Sequence, residues 1–292
     1  MNRKIFLKSL MLPLAGTAMN LQNLEKLTAP FTGTQAMPVL FFGHGSPMNA
    51  IDENEFVRGW RTIGQTLPKP NAILCVSAHW ETKGTFVTAM EHPPTIHDFG
   101  GFPQALFDVQ YPAPGSPLLA RTTKDTVKKT IVELDEKWGL DHGAWSVIKR
   151  LYPNHDVPVI QLSLDYRQSP HYHYDLAKEL ASLRKKGVLI IGSGNMVHNL
   201  PKMDWGSPDK GYDWAMEANA NFKKMISGKE HRQLINYQDL GKAISLSVPT
   251  PEHYLPLLYI LALQEKNEEL SFFNDKTIMG SISMTSLKIG GY

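Results

Sequence analysis

The sequence predicts an α/β protein of three layers, α/β/α, with a largely parallel but mixed central sheet. Three observations point to it. Beyond Pro38, short apolar runs alternate with amphipathic stretches of helical period, the pattern of strands joined by crossover helices. Two late apolar runs have no helix between them, which adds antiparallel pairing to the parallel set. Three of the apolar runs lead straight into a polar turn that carries a histidine, so the carboxyl ends of those strands share one kind of side chain.

The elements follow in order. Val39-Leu40-Phe41-Phe42 is a buried strand. Residues 55–67 form a helix with Phe56, Trp60 and Ile63 on one face. Residues 72–77 and 85–90 are the next strands. Residues 93–115 are dense in Pro and Gly and form a long loop; long loops in compact domains are commonly functional. Helices follow over 118–136 and 144–151, the second ending before Pro153, and then a strand over 157–162. A helix over 174–186 lines up Leu176, Leu180 and Leu183 and stops at Gly187. Residues 188–191 form a buried strand and 213–226 a helix. Thr250 as N-cap and Pro251 at the first helical position open a helix that runs to about residue 264. Strands over 270–273 and 281–289 close the chain. No internal repeat or linker divides residues 37–292, which read as one domain.

Composition excludes several classes of function. A formal net charge of +2, with no basic stripe interleaved with aromatics, argues against nucleic acid as partner. The single cysteine, Cys75, cannot form a disulfide within the chain, and its apolar surroundings read as core. Residues 1–36 stand apart as an N-terminal extension or possible signal segment. Arg3-Lys4-Ile5-Phe6-Leu7-Lys8 and the uncharged residues 9–22 have the layout of a twin-arginine-like leader with Lys at the second position. A cytoplasmic protein is expected, with periplasmic export as the alternative. The apolar stretch is too short and broken for a membrane span.

The chemistry lies in the histidines, of which there are eleven. His44 sits in Gly43-His44-Gly45-Ser46-Pro47, His79 in Ser77-Ala78-His79-Trp80, and His198 ends Gly192-Ser193-Gly194-Asn195-Met196-Val197-His198. Each follows a strand, so all three belong at one sheet edge, where open α/β folds bind ligands. His253, in the first turn of the helix opened by Thr250, can reach the same edge. Neutral imidazole is the usual nitrogen ligand of iron, zinc and copper, so a metal site is expected at the carboxyl ends of the strands. His142 lies just before a helix and either contacts a substrate oxygen there or caps and packs; His97-Asp98 belongs at the pocket mouth. His92, His155, His171, His173 and His231 read as surface residues. Gly43-His44-Gly45-Ser46 does not meet the G-x-S-x-G nucleophile pattern, and Gly192-Ser193-Gly194-Asn195 lacks the third Gly and acidic partner of a dinucleotide fingerprint.

Together these segments resemble the LigB-type (class III) extradiol ring-cleavage dioxygenases, in particular the DODA-type (4,5-DOPA extradiol dioxygenase) group. The resemblance runs through Gly43-His44-Gly45-Ser46-Pro47-Met48, Ser77-Ala78-His79-Trp80, Asp98-Phe99-Gly100-Gly101-Phe102-Pro103, Tyr111-Pro112-Ala113-Pro114-Gly115, Leu140-Asp141-His142-Gly143-Ala144-Trp145, Gly192-Ser193-Gly194-Asn195 with His198-Asn199-Leu200, and Pro251-Glu252-His253-Tyr254. It covers nearly everything after residue 37, in order, and implies that residues 37–292 are a catalytic domain. It implies His44, His79 and His253 as ligands of non-haem Fe(II), His198 as acid/base and as a fourth ligand if Zn(II) fills the site, and His142 as a substrate-contacting residue. Glu252 stays open as an alternative ligand, because more distant relatives place a glutamate in that role. The implied substrates are O₂ and a small catechol, DOPA-like or otherwise, opened to a muconic semialdehyde. Two other readings of the same ligands stand beside it: a zinc-dependent hydrolase, and a metal-binding scaffold without catalysis.

Overall fold

The computed structural model describes residues 36–291. Its middle layer is an eight-stranded mixed sheet, and every strand owes its place to apolar side chains on one or both faces. In chain order the strands are β1 (Val39–Gly43), β2 (Ala72–Thr82), β3 (Thr85–Thr88), β4 (Val132–Asp135), β5 (Val159–Asp165), β6 (Val188–Gly194), β7 (Leu270–Phe273), β8 (Thr277–Ile278), β9 (Ile282–Ser283) and β10 (Ser286–Ile289). The sheet runs β4-β3-β5-β2-β6-β1-β10-β7, while β8 and β9 pair separately. Its centre, β5-β2-β6-β1, is parallel. β3 pairs antiparallel with β5, and β10 antiparallel with both β1 and β7, so the sheet is mixed as expected.

Alternation along β1 divides the core. Val39 and Phe41 face the helices Pro170–Glu179, Asp213–Ser227 and Leu255–Ala262. Leu40 and Phe42 face the helices Glu55–Thr66 and His142–Leu151. Helix Leu255–Ala262 is apolar on nearly all sides because it packs on β1, β2 and β6 beneath another helix. Cys75 is buried in the second of these cores. Register then sets the functional edge: Gly43 lies opposite Gly194, and Ser77 opposite Ser193, so β1 and β6 end side by side while β2 runs on beyond them to Thr82.

Several elements depart from the sequence expectation. The helix expected over 118–136 ends at Thr126, and Val132–Asp135 becomes strand β4, because Val132 and Leu134 pair with β3. β2 and β6 continue through Ser77-Ala78-His79 and Gly192-Ser193-Gly194, which were expected as turns; neighbouring strands supply ladder partners that local composition does not reveal. The helix expected from Thr250 begins at Leu255. The Thr250 hydroxyl bonds to Glu252 instead of capping the helix, and His253 sits in the turn before it. The helix over 174–186 starts at Pro170 and breaks at Leu180. The closing strand over 281–289 is split into β9 and β10. A short helix, Gln104–Phe107, interrupts the Pro/Gly-rich loop, and helices His231–Ile235 and Lys242–Ser247 were not anticipated. His173, expected at the surface, is fully buried with its Nδ1 3.0 Å from the Tyr259 hydroxyl. The leader-like residues lie outside the described residues. No helix among the described residues is long and apolar enough to cross a membrane.

One buried cation ties the two ends of the domain together. Arg184 is 1% exposed; it donates to the carbonyls of Met37 and Leu263 at 2.7 Å each and pairs with Glu268. Replacing it by an apolar side chain leaves two carbonyls and a carboxylate without their donor, and breaking a buried ion pair from one side typically costs about 3–5 kcal/mol. Arg184→Met is therefore expected to lower unfolding free energy by about that amount in urea titrations. A loss of less than about 1 kcal/mol, the range of an exposed pair, would contradict this assignment.

Candidate metal centre

Six side chains from five segments meet at the carboxyl edge of β1, β2 and β6. His44 follows β1 and is held there by loop chemistry. Its backbone N–H donates to the Gly194 carbonyl at 3.0 Å, and the Asn49 amide donates to its carbonyl at 2.9 Å. Gly45 takes a φ of 60°, and Ser46 caps the short 3-10 turn Pro47–Ala50, so Gly-His-Gly-Ser-Pro is a device for turning the chain directly after a ligand-type residue. His79 projects from the far part of β2, within the irregular register between Val76 and Glu81. His142 opens the helix His142–Leu151, which Asp141 caps by accepting from the Ala144 N–H at 3.0 Å. His253 is held on β6 by the Asn195 N–H, which donates to its carbonyl at 2.8 Å. A Cβ at position 194 would lie 2.2 Å from that carbonyl, so only glycine permits the approach.

The rings gather closely. His44 Nε2 and His79 Nε2 are 3.3 Å apart. The His253 ring lies 5.3 Å from that of His44 and 5.0 Å from that of His79, and His142 lies 3.9 Å from His79. His198 stacks on His253 at 3.5 Å with only 10° between planes. By nitrogen and oxygen spacing the donors fall into two adjoining groups, His44 with His79 and His142, and His198 with Glu252 and His253. Every histidine expected at this edge is present, but His142 stands nearer to His44 and His79 than the sequence suggested.

Hydrogen bonds decide which nitrogen of each ring is exposed. The Ser193 hydroxyl donates to the Gly143 carbonyl at 2.6 Å, so its oxygen accepts from His44 Nδ1 at 3.0 Å. His253 Nδ1 is 3.0 Å from Glu252 Oε1, and His142 Nδ1 is 2.9 Å from Asp98 Oδ2, with His79 Nδ1 3.5 Å from that same oxygen. The Nδ1–H of His44, His253 and His142 thus has an oxygen acceptor, which leaves Nε2 with its lone pair, and His79 Nδ1 faces Asp98 from farther away. The pattern is that of metal-ligating histidines oriented by oxygen partners. Glu252 is engaged in the same way, since its Oε1 also accepts from Thr250.

Electrostatics favour neutral rings. Burial, followed by repulsion from His79, His253 and the other rings, holds His44 well below the ordinary imidazole value. Burial and the neighbouring His142 push His79 down to about 3, and burial pushes His198 down to about 4 against the pull of Glu252. His253 is lowered by burial and by His198. Buried imidazoles that resist protonation are soft nitrogen donors for a cation. Two nitrogens bound to one ion at about 2.0–2.1 Å stand roughly 3.0–3.4 Å apart, which the His44–His79 separation matches. The donor set therefore fits a divalent transition metal.

Two residues that sequence reasoning underused complete the site. Asp98, foreseen only as lining the mouth, accepts from both the backbone N–H and the ring of His142. Asp141 is fully buried and accepts from Ser77 at 2.6 Å and from Gln161 at 2.7 Å; burial pushes its carboxyl up. This brace fixes β2 against the helix that carries His142. His97, by contrast, bonds through Nε2 to the Val109 carbonyl and stabilises the loop, outside the ring cluster. Phe99, beside it, packs edge-on against His142 at 5.5 Å. His92, His155 and His171 are exposed, as expected.

Known proteins share this architecture and sequence. The family described as the catalytic LigB subunit of aromatic ring-opening dioxygenase matches residues 38–276. A 4,5-DOPA dioxygenase extradiol of Escherichia coli K12 is 48% identical over 258 residues, covering 87% of this chain and 95% of its own. A 4,5-DOPA dioxygenase extradiol of Beta vulgaris is 35% identical, covering 85% and 94%. The crystal structure of an uncharacterized protein of Escherichia coli K12 superposes with a TM-score of 0.74 at 41% identity, over 87% of this chain and all of that one. With its fold, its imidazole cluster and its sequence in agreement, the chain belongs to the LigB family and is a metal-dependent extradiol ring-opening dioxygenase that uses a small molecule and O₂.

Proposed function

We propose that His44, His79 and His253 hold non-haem Fe(II) and that the enzyme opens a catechol bearing an amino-acid side chain, DOPA being the type substrate. The observation that supports the ligand set is that Nδ1 of His44 and His253 is 3.0 Å from an oxygen acceptor and that of His79 faces Asp98, with the His253 ring 5.3 and 5.0 Å from the other two; His142, oriented in the same way, stands beside them. His44, His79 and His253 would hold the ion by three nitrogens, a donor set that would suit a facial oxygenase centre. When bound, Fe(II) supplies the electron transfer that lets a spin-paired ring react with O₂. Zinc on the same nitrogens, with His198 as fourth ligand, gives a resting form without redox chemistry.

The chain's own groups handle protons and orientation. His198, stacked on His253, takes a catechol hydroxyl proton and returns it later in the reaction. His142 meets a substrate oxygen beside His44 and His79. Phe99 excludes water on the His142 side. The product is a muconic semialdehyde. The mouth is acidic: Glu81 stands two residues beyond His79 on β2, and burial together with Glu252 raises its carboxyl. The strongest acidic influences on the rings come from Asp98 and Glu252. Such a mouth suits a substrate carrying an ammonium group, in accord with the names of the relatives from Escherichia coli and Beta vulgaris.

Three measurements test this reading. Anaerobic loading with Fe(II), followed by L-DOPA and protocatechuate in an oxygen electrode, is expected to give O₂ loss and a yellow product with L-DOPA foremost; hydrolysis of esters or amides without O₂ uptake would sink it. His44→Ala and His79→Ala should each abolish metal retention measured by elemental analysis, whereas His198→Ala should keep the metal and lose roughly 10²–10⁴-fold in turnover. Ser193→Ala, which removes the acceptor at His44 Nδ1, should weaken metal affinity about 10–100-fold in chelator competition, and unchanged affinity would show that His44 is not a ligand.

A further inference from the structure

Two rings of the cluster, His79 and His142, border on one carboxylate. Asp98 Oδ1 accepts from the backbone N–H of His142 at 2.8 Å, and Oδ2 lies 2.9 Å from His142 Nδ1 and 3.5 Å from His79 Nδ1. The His79 and His142 rings are 3.9 Å apart. Two contacts from one carboxylate to one residue fix its backbone and its ring together, and a flip of the His142 ring loses the bond at Nδ1. Asp98 is itself held. Its loop is zipped to the segment before His142 through Ile96 N–H to the Leu140 carbonyl at 2.7 Å and Leu140 N–H to the Pro94 carbonyl at 2.8 Å. Trp145, one turn into the helix that His142 opens, donates its indole N–H to the Ile96 carbonyl at 2.8 Å. A Cβ at position 143 would lie 2.7 Å from the His79 ring and 2.5 Å from the Ser77 hydroxyl, so glycine there allows the helix start to press against β2.

We propose that Asp98 is a positioning residue that sets two histidines at once: it confines the proton of His142 to Nδ1, so that Nε2 accepts from a substrate hydroxyl, and it steadies His79 as a ligand. The inference rests on the function proposed above for its catalytic arm only. A carboxylate accepts and cannot donate when ionised, so His142 must present N–H to it and a bare nitrogen to the site, while His79 Nδ1 faces the same oxygen from 3.5 Å. In the step this prepares, a substrate O–H bond breaks and a bond from that proton to His142 Nε2 forms. The hydroxyl oxygen keeps the electron pair, and Asp98 faces the resulting imidazolium. Asn at position 98 keeps the shape but supplies an amide donor, which reverses the preferred tautomer of His142.

Two-bond ¹H–¹⁵N spectra of the zinc-loaded full chain, assigned with His142→Gln, test the proposal without turnover. His142 should carry its proton on Nδ1 in the wild type and on Nε2 in Asp98→Asn; an Nε2–H signal in the wild type overturns the proposal without any variant being made. Zinc affinity by chelator competition should fall about 10–100-fold in Asp98→Asn through His79, and equal affinity overturns that half. With Fe(II) held saturating for every variant and with L-DOPA, Asp98→Asn should lower kcat by roughly 10²–10⁴-fold in the wild-type background and by less than about threefold when His142 is already Gln. Equal losses in both backgrounds would show a merely structural role. If the wild type consumed no O₂, the functional reading would fail, while the tautomer and zinc measurements would still decide the role of Asp98.

Discussion

The centre depends on oxygen acceptors that hold imidazole rings by Nδ1. Ser193 holds His44, Glu252 holds His253, and Asp98 holds His142 with His79 at its side. An unanchored imidazole turns and exchanges tautomers, and a cluster of such rings would offer a cation a changing set of nitrogens. Anchored, the rings keep their lone pairs on one side. Burial and mutual repulsion then favour the neutral form of His44, His79 and His253, so the site is prepared for a positive charge before one arrives.

The sheet provides the common origin for these anchors. Ser193 is on β6, opposite Ser77 of β2, and β6 also lies beside β1. Ser193 therefore reaches His44 from the neighbouring strand and ties it to Gly143 at the start of the helix behind. The buried Asp141, Ser77 and Gln161 brace joins that helix to β2 and β5. A buried carboxylate is costly unless its lone pairs are satisfied, and here the serine, the amide and the helix N–H satisfy them. Packing, polar satisfaction and ligand geometry are thus one connected structure.

Much of this was legible in the residues. Alternating apolar runs foretold the layers, and β1 confirms it by sending Val39 and Phe41 to one core and Leu40 and Phe42 to the other. The turn chemistry of Gly43-His44-Gly45-Ser46-Pro47 is local and could be read directly. Illegible were the elements whose identity comes from partners. Residues 132–135 look helical beside the helix before them, yet become β4 because β3 is available. β2 and β6 run beyond their apolar stretches because β5 and β1 supply further ladder partners. His173 looked like a surface residue in a polar run and is buried against Tyr259 of another helix.

The sequence by itself determined the order of strands and helices, the cores they bury and the placing of imidazoles at strand ends, because periodicity and turn residues act over a few neighbours. Tertiary structure alone decided which oxygen meets which nitrogen. Ser193 lies 149 residues from His44, and Asp98 lies 44 from His142. A hydrogen bond acts over about 3 Å, so a contact between such distant segments is set by how the sheet and helices pack and leaves no local mark in the chain.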